Sequence, residues 1–161
     1  MKRMIVLLIG VIALVAVVIT AQSQSGDAPL ASLPAVADAP RPAPEPRFTR
    51  TMYAASNLDQ STRLLDECKG PVAVWLGDDR PTLVAEHDYC GGSEWMSKVK
   101  VGDAVKIGGD GVDDGIFVVT NLTYETRNEV TVGDLPEADV VLQTCVTKTK
   151  LVLVGMERFE A

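Results

Sequence analysis

Short stretches of β-type sequence, separated by turn residues, fill the chain from Pro71 to its C-terminus. Most are rich in Val, Leu or Ile, and Gly, Asp or Pro stands between them. The stretches cover residues 71–77, 81–87, 103–107, 115–122, 130–132, 140–146 and 150–155. Strands this short and closely spaced predict a mainly β domain, either a small barrel or a sandwich. One or two short helices are expected beside them, over residues 56–67 and after residues 91–93.

The N-terminus carries a long apolar segment. Lys2 and Arg3 precede an uncharged run of 17 residues from Met4 to Thr20. As a helix this run would be roughly 26 Å long, close to the ~30 Å hydrocarbon core of a bilayer. Residues 1–22 are therefore predicted to be a single transmembrane anchor in the cell membrane, with the C-terminal domain extracellular. A cleaved signal peptide is the alternative, and it also exports the domain.

A proline-rich segment follows the apolar run. Residues 23–47 contain many Pro, Ala and Ser residues, a composition that cannot bury enough apolar surface to fold. This segment is predicted to be a disordered stalk, and residues 48–161 are predicted to form one compact domain. The whole chain has a formal net charge of −7. This acidic balance argues against nucleic acid and anionic lipid headgroups as partners.

Three cysteines, an odd number, occur in the predicted exported domain. A disulfide between Cys68 and Cys90 is one hypothesis, because both lie beside loop signals, and it would leave Cys145 as a free thiol. The alternative is that all three are small buried apolar residues. Zinc is not expected, since the spacings are wrong and the chain has a single histidine. The loop GGDGVDDG (108–115) lacks ligands that a calcium loop needs, so no metal and no cofactor are predicted.

His87, the only histidine, and Cys145 both stand at the ends of β-type stretches. A cysteine nucleophile needs a neighbouring base, and an imidazole supplies one. Acyl transfer also needs donors for the developing oxyanion. Lys148 and Lys150 follow Cys145 across a predicted hairpin and are candidates for that role, although a solvated turn also explains them.

Motifs in the second half of the chain, taken in order, resemble those of the sortase family. The stretch VVLQTCVTKTKLVLVG (140–155) resembles the sortase strand that ends in Thr-Cys, followed by a loop and a strand that opens with a basic residue. LVAEHDYCGG (83–92) resembles the segment that carries the family's active-site histidine. SEWMSKVKVGDAVKI (93–107) resembles the turn and the Gly-Asp-x-Val segment that follow that histidine. The resemblance runs from about Leu83 to Gly155.

The resemblance implies a sortase-like β-barrel on the outer face of the membrane. Such a cysteine transpeptidase cleaves a sorting signal of the Leu-Pro-x-Thr-Gly kind after Thr, holds the acyl group as a thioester and passes it to an amine. By this resemblance Cys145 is the nucleophile, His87 is the acid/base, and Thr144 lines the peptide groove. The implied partners are a peptide or protein sorting signal and an amine acceptor.

The sequence departs from the family pattern at the basic position. Where the family has an arginine that steadies the substrate backbone or the oxyanion, this chain has Lys150, which lacks the planar guanidinium fork. Lys148 or Arg127 is an alternative source of the cation. The last loop is short for a sortase, and the region before His87 is expected to lack the usual first strands. Two other functions stay open: an inactive sortase-fold module that binds a peptide, and an exported structural β-domain.

Overall fold

The computed structural model describes residues 40–161, apart from residues 75, 78 and 79. Within these residues seven strands form a closed barrel in the order β1-β2-β3-β6-β7-β5-β4. The strands are β1 Phe48–Ala54, β2 Val72–Val74, β3 Thr82–Ala85, β4 Ala104–Gly109, β5 Gly115–Thr126, β6 Val140–Cys145 and β7 Lys150–Arg158. The α-helices in this part of the chain are α1 Leu58–Asp66 and α2 Gly92–Trp95. The prediction of a small, mainly β barrel with one or two short helices is therefore confirmed.

The predicted anchor, residues 1–22, and residues 23–39 of the predicted stalk lie outside the described residues. Residues 40–47 contain no helix or strand. Among the helices that the structure describes, none is both long and apolar enough to cross a membrane.

Antiparallel and parallel pairings together close the barrel. The consecutive pairs β2–β3, β4–β5 and β6–β7 are antiparallel, and β5 is also antiparallel to β7. β1 is parallel to both β2 and β4. β3 is parallel to β6, although β4 and β5 lie between them in the sequence. This last pairing brings the two stretches that carry the candidate catalytic residues side by side.

β1 is a strand that the sequence analysis did not predict. It lies before His87, in the region where the family's first strands were expected to be missing. Its side chains alternate, with Met52 buried and its neighbours Thr51 and Tyr53 exposed. Its partners are parallel strands further along the chain, so no neighbouring hairpin marks this stretch as a strand.

The strand predicted at residues 130–132 is absent from the structure, which has a 3-10 turn at Val132–Asp134 instead. The Asp134 carboxylate accepts a hydrogen bond from the backbone N–H of Thr131 at 2.7 Å. The Thr131 side chain reciprocates in a capping box, which turns the chain and ends any extended run.

Strand side chains alternate between the inside and the outside of the barrel. On β6, Val140 and Leu142 belong to the interior core, which also receives side chains from β1, β3, β4, β5 and β7. Val141, between them, belongs to a second apolar cluster on the outside. We call the surface that bears this second cluster the outer face. Its buried members are Leu83, Val141, Leu151 and Leu153.

α1 is fixed mainly at its ends. Its N-cap is Asn57, whose side-chain oxygen accepts a hydrogen bond from the Gln60 N–H at 2.8 Å. Ser61 is the only buried residue of this nine-residue helix, all of which the structure describes. The helix ends at Asp66, and two residues later Cys68 has a left-handed φ of 52°. Little apolar packing therefore holds α1 against the barrel.

Candidate active site

Cys145 is the last residue of β6 and lies on the outer face. By strand alternation it shares that face with Val141, and its cross-strand partner on β7 is Leu151, a member of the outer cluster. Of the three cysteines in the chain, all of them described, Cys145 alone is free, and it is half-buried. The free thiol is thus at the surface, at the end of a strand whose other side faces the core.

The parallel pairing of β3 with β6 brings His87 to the same end of the sheet as Cys145. The paired residues on the outer face are Leu83 with Val141 and Ala85 with Gln143. The Glu86 N–H continues this ladder by donating to the Gln143 carbonyl at 3.2 Å. The register ends at the pair Ala85 with Gln143. His87 stands two residues after Ala85, and Cys145 stands two residues after Gln143, so both candidates lie at the same end of two neighbouring strands. Neighbouring strands are about 4.8 Å apart.

The His87 imidazole has two neighbouring side chains. Its Nε2 lies 3.2 Å from Oδ1 of Asp66, the last residue of α1. Its ring stacks on Tyr89, with ring centroids 4.8 Å apart and an interplanar angle of 14°. The His87 carbonyl accepts hydrogen bonds from the N–H groups of Cys90 and Gly92, at 3.1 and 3.0 Å. Asp66 therefore contacts one of the two ring nitrogens, and Tyr89 covers one face of the ring.

Cys68 and Cys90 form a disulfide, with their Cα atoms 5.0 Å apart. This is the pairing hypothesised from the sequence. It links the chain just after α1 to the 3-10 turn that follows His87. Asp66, which the sequence analysis did not identify, stands two residues from one linked cysteine, and His87 stands three from the other. The hypothesised disulfide is therefore the sequence feature from which the proximity of Asp66 and His87 could have been inferred.

Lys150 lies on the opposite side of the sheet from Cys145. It pairs with Thr126 on β5, and its Nζ donates a hydrogen bond to the Thr126 hydroxyl at 3.3 Å. By strand alternation it shares its side of the sheet with Val152, which belongs to the interior core. The structure therefore does not bring the Lys150 ammonium to the face that bears the thiol.

Arg127 directly follows β5, at the same end of the sheet as Cys145. Glu125 on β5 pairs with Leu151 on β7, and Leu151 in turn pairs with Cys145. The Arg127 N–H extends the β5–β7 ladder by donating to the Thr149 carbonyl at 2.9 Å. Arg127 is exposed, and the alternation of β5 extended one residue past the strand assigns it to the outer face with Glu125. Lys148, the third candidate cation, is exposed in the β6–β7 turn.

Thr144 lies beneath the outer face. It is 2% exposed, and its Oγ1 has no hydrogen-bond partner among the described residues. A Cβ placed on Gly92 would lie 2.5 Å from this Oγ1 and 2.6 Å from the Glu86 carbonyl oxygen. The first turn of α2 thus packs directly on the end of β6. Contact between Thr144 and a bound peptide stays a prediction of the sequence.

Glu86 is a buried carboxyl group that the sequence analysis did not identify, although it is the one acid in the apolar stretch TLVAEH. It is 7% exposed, and its Oε2 accepts a hydrogen bond from the Trp95 indole N–H at 2.7 Å. Burial raises the pKa of Glu86, against the lowering effects of the Trp95 hydrogen bond and the Arg50 charge. The Arg50 guanidinium lies 5.1 Å from the centroid of the Trp95 ring. Glu86 and Trp95 therefore join β3 to α2 under His87.

Two solved structures similar to this chain are both sortases, the family that the sequence motifs resemble. No protein-family model and no curated protein matches the sequence. Sortase C from Clostridium perfringens SM101 is 20% identical, with a TM-score of 0.44, over 68% of this chain and 62% of that one. Sortase C1 from Streptococcus suis is 22% identical, with a TM-score of 0.47, over 68% of this chain and 65% of that one. The chain thus spans less than two thirds of the length of either sortase.

Proposed function

We propose that the chain is a sortase-like cysteine transpeptidase acting on a peptide sorting signal of the Leu-Pro-x-Thr-Gly type. The observation that supports this function is the β3–β6 pairing, because His87 and the free thiol of Cys145 each stand two residues beyond its last pair, Ala85 with Gln143. A thiol beside an imidazole is the pair that covalent acyl transfer requires. The order of the sequence motifs favours the sortases among the families that use such a pair.

The proposed reaction has two steps: the first forms a thioester on Cys145, and the second transfers its acyl group to an amine. The Cys145 thiol gives its proton to His87 while Sγ attacks the carbonyl carbon of the signal's Thr. The C–N bond to the following Gly then breaks, and the imidazolium gives the proton to the leaving amine. An incoming amine next attacks the thioester, loses a proton to His87, and releases the Cys145 sulfur, which regains that proton. Water in place of the amine gives hydrolysis, the activity of a thiol protease.

Arg127 is the proposed cation for the oxyanion that forms in each step. It shares the outer face with Cys145, whereas the ammonium of Lys150 is bonded to Thr126 on the other side of the sheet. A guanidinium also offers the planar fork that grips carbonyl oxygens, which lysine lacks. The role that the resemblance assigns to Lys150 is therefore assigned here to Arg127.

The proposed location is the outer side of the cell membrane, with residues 1–22 as a single-pass anchor. The Cys68–Cys90 disulfide supports an oxidising compartment, because such bonds are rare in a reducing cytosol. A surface enzyme would meet both proposed partners there, a protein that carries the sorting signal and an amine acceptor.

Trapping of an acyl-enzyme tests the proposed function. The full chain, incubated with a Leu-Pro-x-Thr-Gly peptide, should gain the mass of the acyl fragment on Cys145, and hydroxylamine should release it. Cys145→Ala should gain no mass. His87→Ala should slow formation of the adduct about 100-fold or more, because it removes the general acid/base.

Alkylation of the thiol is the control for this experiment. If iodoacetamide labels Cys145 but no sorting peptide acylates it, the transpeptidase proposal is overturned. Binding of the same peptide to the unreactive chain, measured by calorimetry, would then identify a peptide-binding module.

A further inference from the structure

The contact between Asp66 and His87 joins the end of α1 to the segment that follows β3. His87 Nε2 and Asp66 Oδ1 are 3.2 Å apart, with side-chain exposures of 26% and 66%. An imidazole–carboxylate contact this exposed is worth little by itself, because water competes for both groups and the side chains are free to rotate. The contact therefore persists only if something else holds the end of α1 beside the His87 segment.

The Cys68–Cys90 disulfide is that link. It closes a loop of chain that runs from the end of α1, through β2 and β3, to the turn after His87. Because Ser61 is the only buried residue of α1, packing alone gives the helix a weak hold on the barrel. A covalent bond two residues beyond Asp66 restricts the end of the helix whether or not the ion pair is formed.

The backbone of Cys68 has a left-handed conformation that is unfavourable for a residue with a Cβ atom. Among the described residues Cys68 is the only one other than glycine with a positive φ, at 52°. A helix that ends in this left-handed conformation usually has glycine there, since a Cβ is disfavoured. A strained residue retained at such a position points to a functional constraint, here the bond to Cys90.

We propose that Asp66 is a positioning residue for His87, and that the Cys68–Cys90 disulfide keeps the two side chains in contact. This inference rests on the proposed function, because it assigns roles within the same site. A dithiol reductant transfers two electrons and two protons to the disulfide, giving two thiols and the reductant's own disulfide. Reduction then frees the end of α1, and Asp66 separates from His87 while Cys145 stays a thiol.

Nuclear magnetic resonance of the isotope-labelled full chain tests the positioning directly, because His87 supplies the only imidazole signals. We expect Asp66→Ala to shift these ring signals at fixed pH. The Cys68→Ser/Cys90→Ser double variant should shift them in the same direction. A dithiol should reproduce that shift in the folded wild type, without any mutation, and should have no effect on the double variant.

Glu67→Ala is the matched control. Its carboxylate stands one residue from Asp66, at the same end of α1, but contacts Lys69 at 2.9 Å. We expect this substitution to leave the His87 ring signals in place. Ring signals that Asp66→Ala does not move would overturn the positioning role. Ring signals that neither reduction nor the double variant moves would overturn the role of the disulfide.

Measurement of peptide turnover distinguishes failure of the positioning role from failure of the proposed function. Asp66→Ala is expected to lower kcat about two- to fivefold at an unchanged KM, the effect that an exposed ion pair supports. Asp66→Asn keeps an acceptor oxygen and should recover part of the loss.

Shifted ring signals in a chain that turns over no peptide would support the positioning role and overturn the proposed function alone. An unchanged kcat in an active Asp66→Ala chain would overturn the positioning role.

Discussion

Glu86 brings a carboxyl group into the barrel one residue before His87. Its hydrogen bond from Trp95 stabilises the charged form, but burial outweighs it and raises the pKa of Glu86 above its ordinary value of 4.5. A group with a higher pKa in the folded state binds more protons when folded than when unfolded. Its contribution to stability is therefore full below pH 4.5 and is lost as the pH rises through the folded pKa.

Glu86→Gln tests this linkage, since glutamine keeps an oxygen for the Trp95 indole and removes the charge. We expect the variant to have a higher free energy of unfolding than the wild type at pH 7. The difference should shrink as the pH falls below 4.5, the ordinary pKa, because the carboxyl is then mostly protonated in the unfolded chain as well. Denaturant titrations across this range measure it, with Glu160→Gln as the exposed control. A difference that persists at pH 4 would contradict burial of the charge as its cause.

The proposed function assigns the oxyanion cation to Arg127 and not to Lys150. Arg127→Ala is expected to lower kcat about 100-fold, the usual cost of removing a donor to the oxyanion. Lys150→Ala should have little effect, because its ammonium is bonded to Thr126. Steady-state kinetics of the two alanine variants make a matched comparison. A large rise in kcat in Lys150→Arg would contradict this assignment and would indicate that residue 150 on β7 supplies the cation.

At the scale of elements, the junction between α2 and the end of β6 depends on Gly92. A Cβ at this position would lie within 2.6 Å of both the Thr144 hydroxyl and the Glu86 backbone carbonyl. A backbone atom cannot move aside by changing rotamer, so the clash must displace α2 or β3. The close packing of α2 on the segment before His87 therefore requires glycine at position 92.

Gly92→Ala is expected to lower the free energy of unfolding by about 1–3 kcal/mol, the usual cost of overpacking. It should also lower kcat, because the Gly92 N–H holds the His87 carbonyl. Thermal unfolding and kinetics measure the two effects. Gly133→Ala is the control, since a Cβ there meets only Thr131 Oγ1, at 3.5 Å. Equal stability losses in the two variants would argue against a specific role for Gly92.

At the scale of the whole molecule, the sequence predicted the elements that depend on local pattern. The β4–β5 and β6–β7 pairs follow from neighbouring apolar runs with turn residues between them. β1 was missed because it has no neighbouring hairpin partner, and its parallel partners β2 and β4 lie further along the chain. The strand expected at residues 130–132 was wrong, because side-chain capping by Thr131 and Asp134 overrode its β propensity.

The same distinction applies to the site. Cys145 and His87 were identified from motif order, and the pairing of Cys68 with Cys90 was a hypothesis from cysteine positions. The side of the sheet that Lys150 occupies could not be predicted, since it depends on the register between β5 and β7. The contact of Asp66 with His87 likewise depends on where α1 lies against the barrel, which no local pattern specifies.

The parallel pairing of β3 with β6 also has a consequence for biosynthesis. His87 leaves the ribosome well before Cys145, and the two strands pair only after β4 and β5 have been made. Contacts between residues so distant in the chain form late in folding, because a long loop must close first. An unfolded chain therefore lacks the strand pairing that brings His87 and Cys145 to one end of the sheet. Under the proposed function, the thiol would react with peptides only after the barrel closes, and immature chains would be protected from acylation.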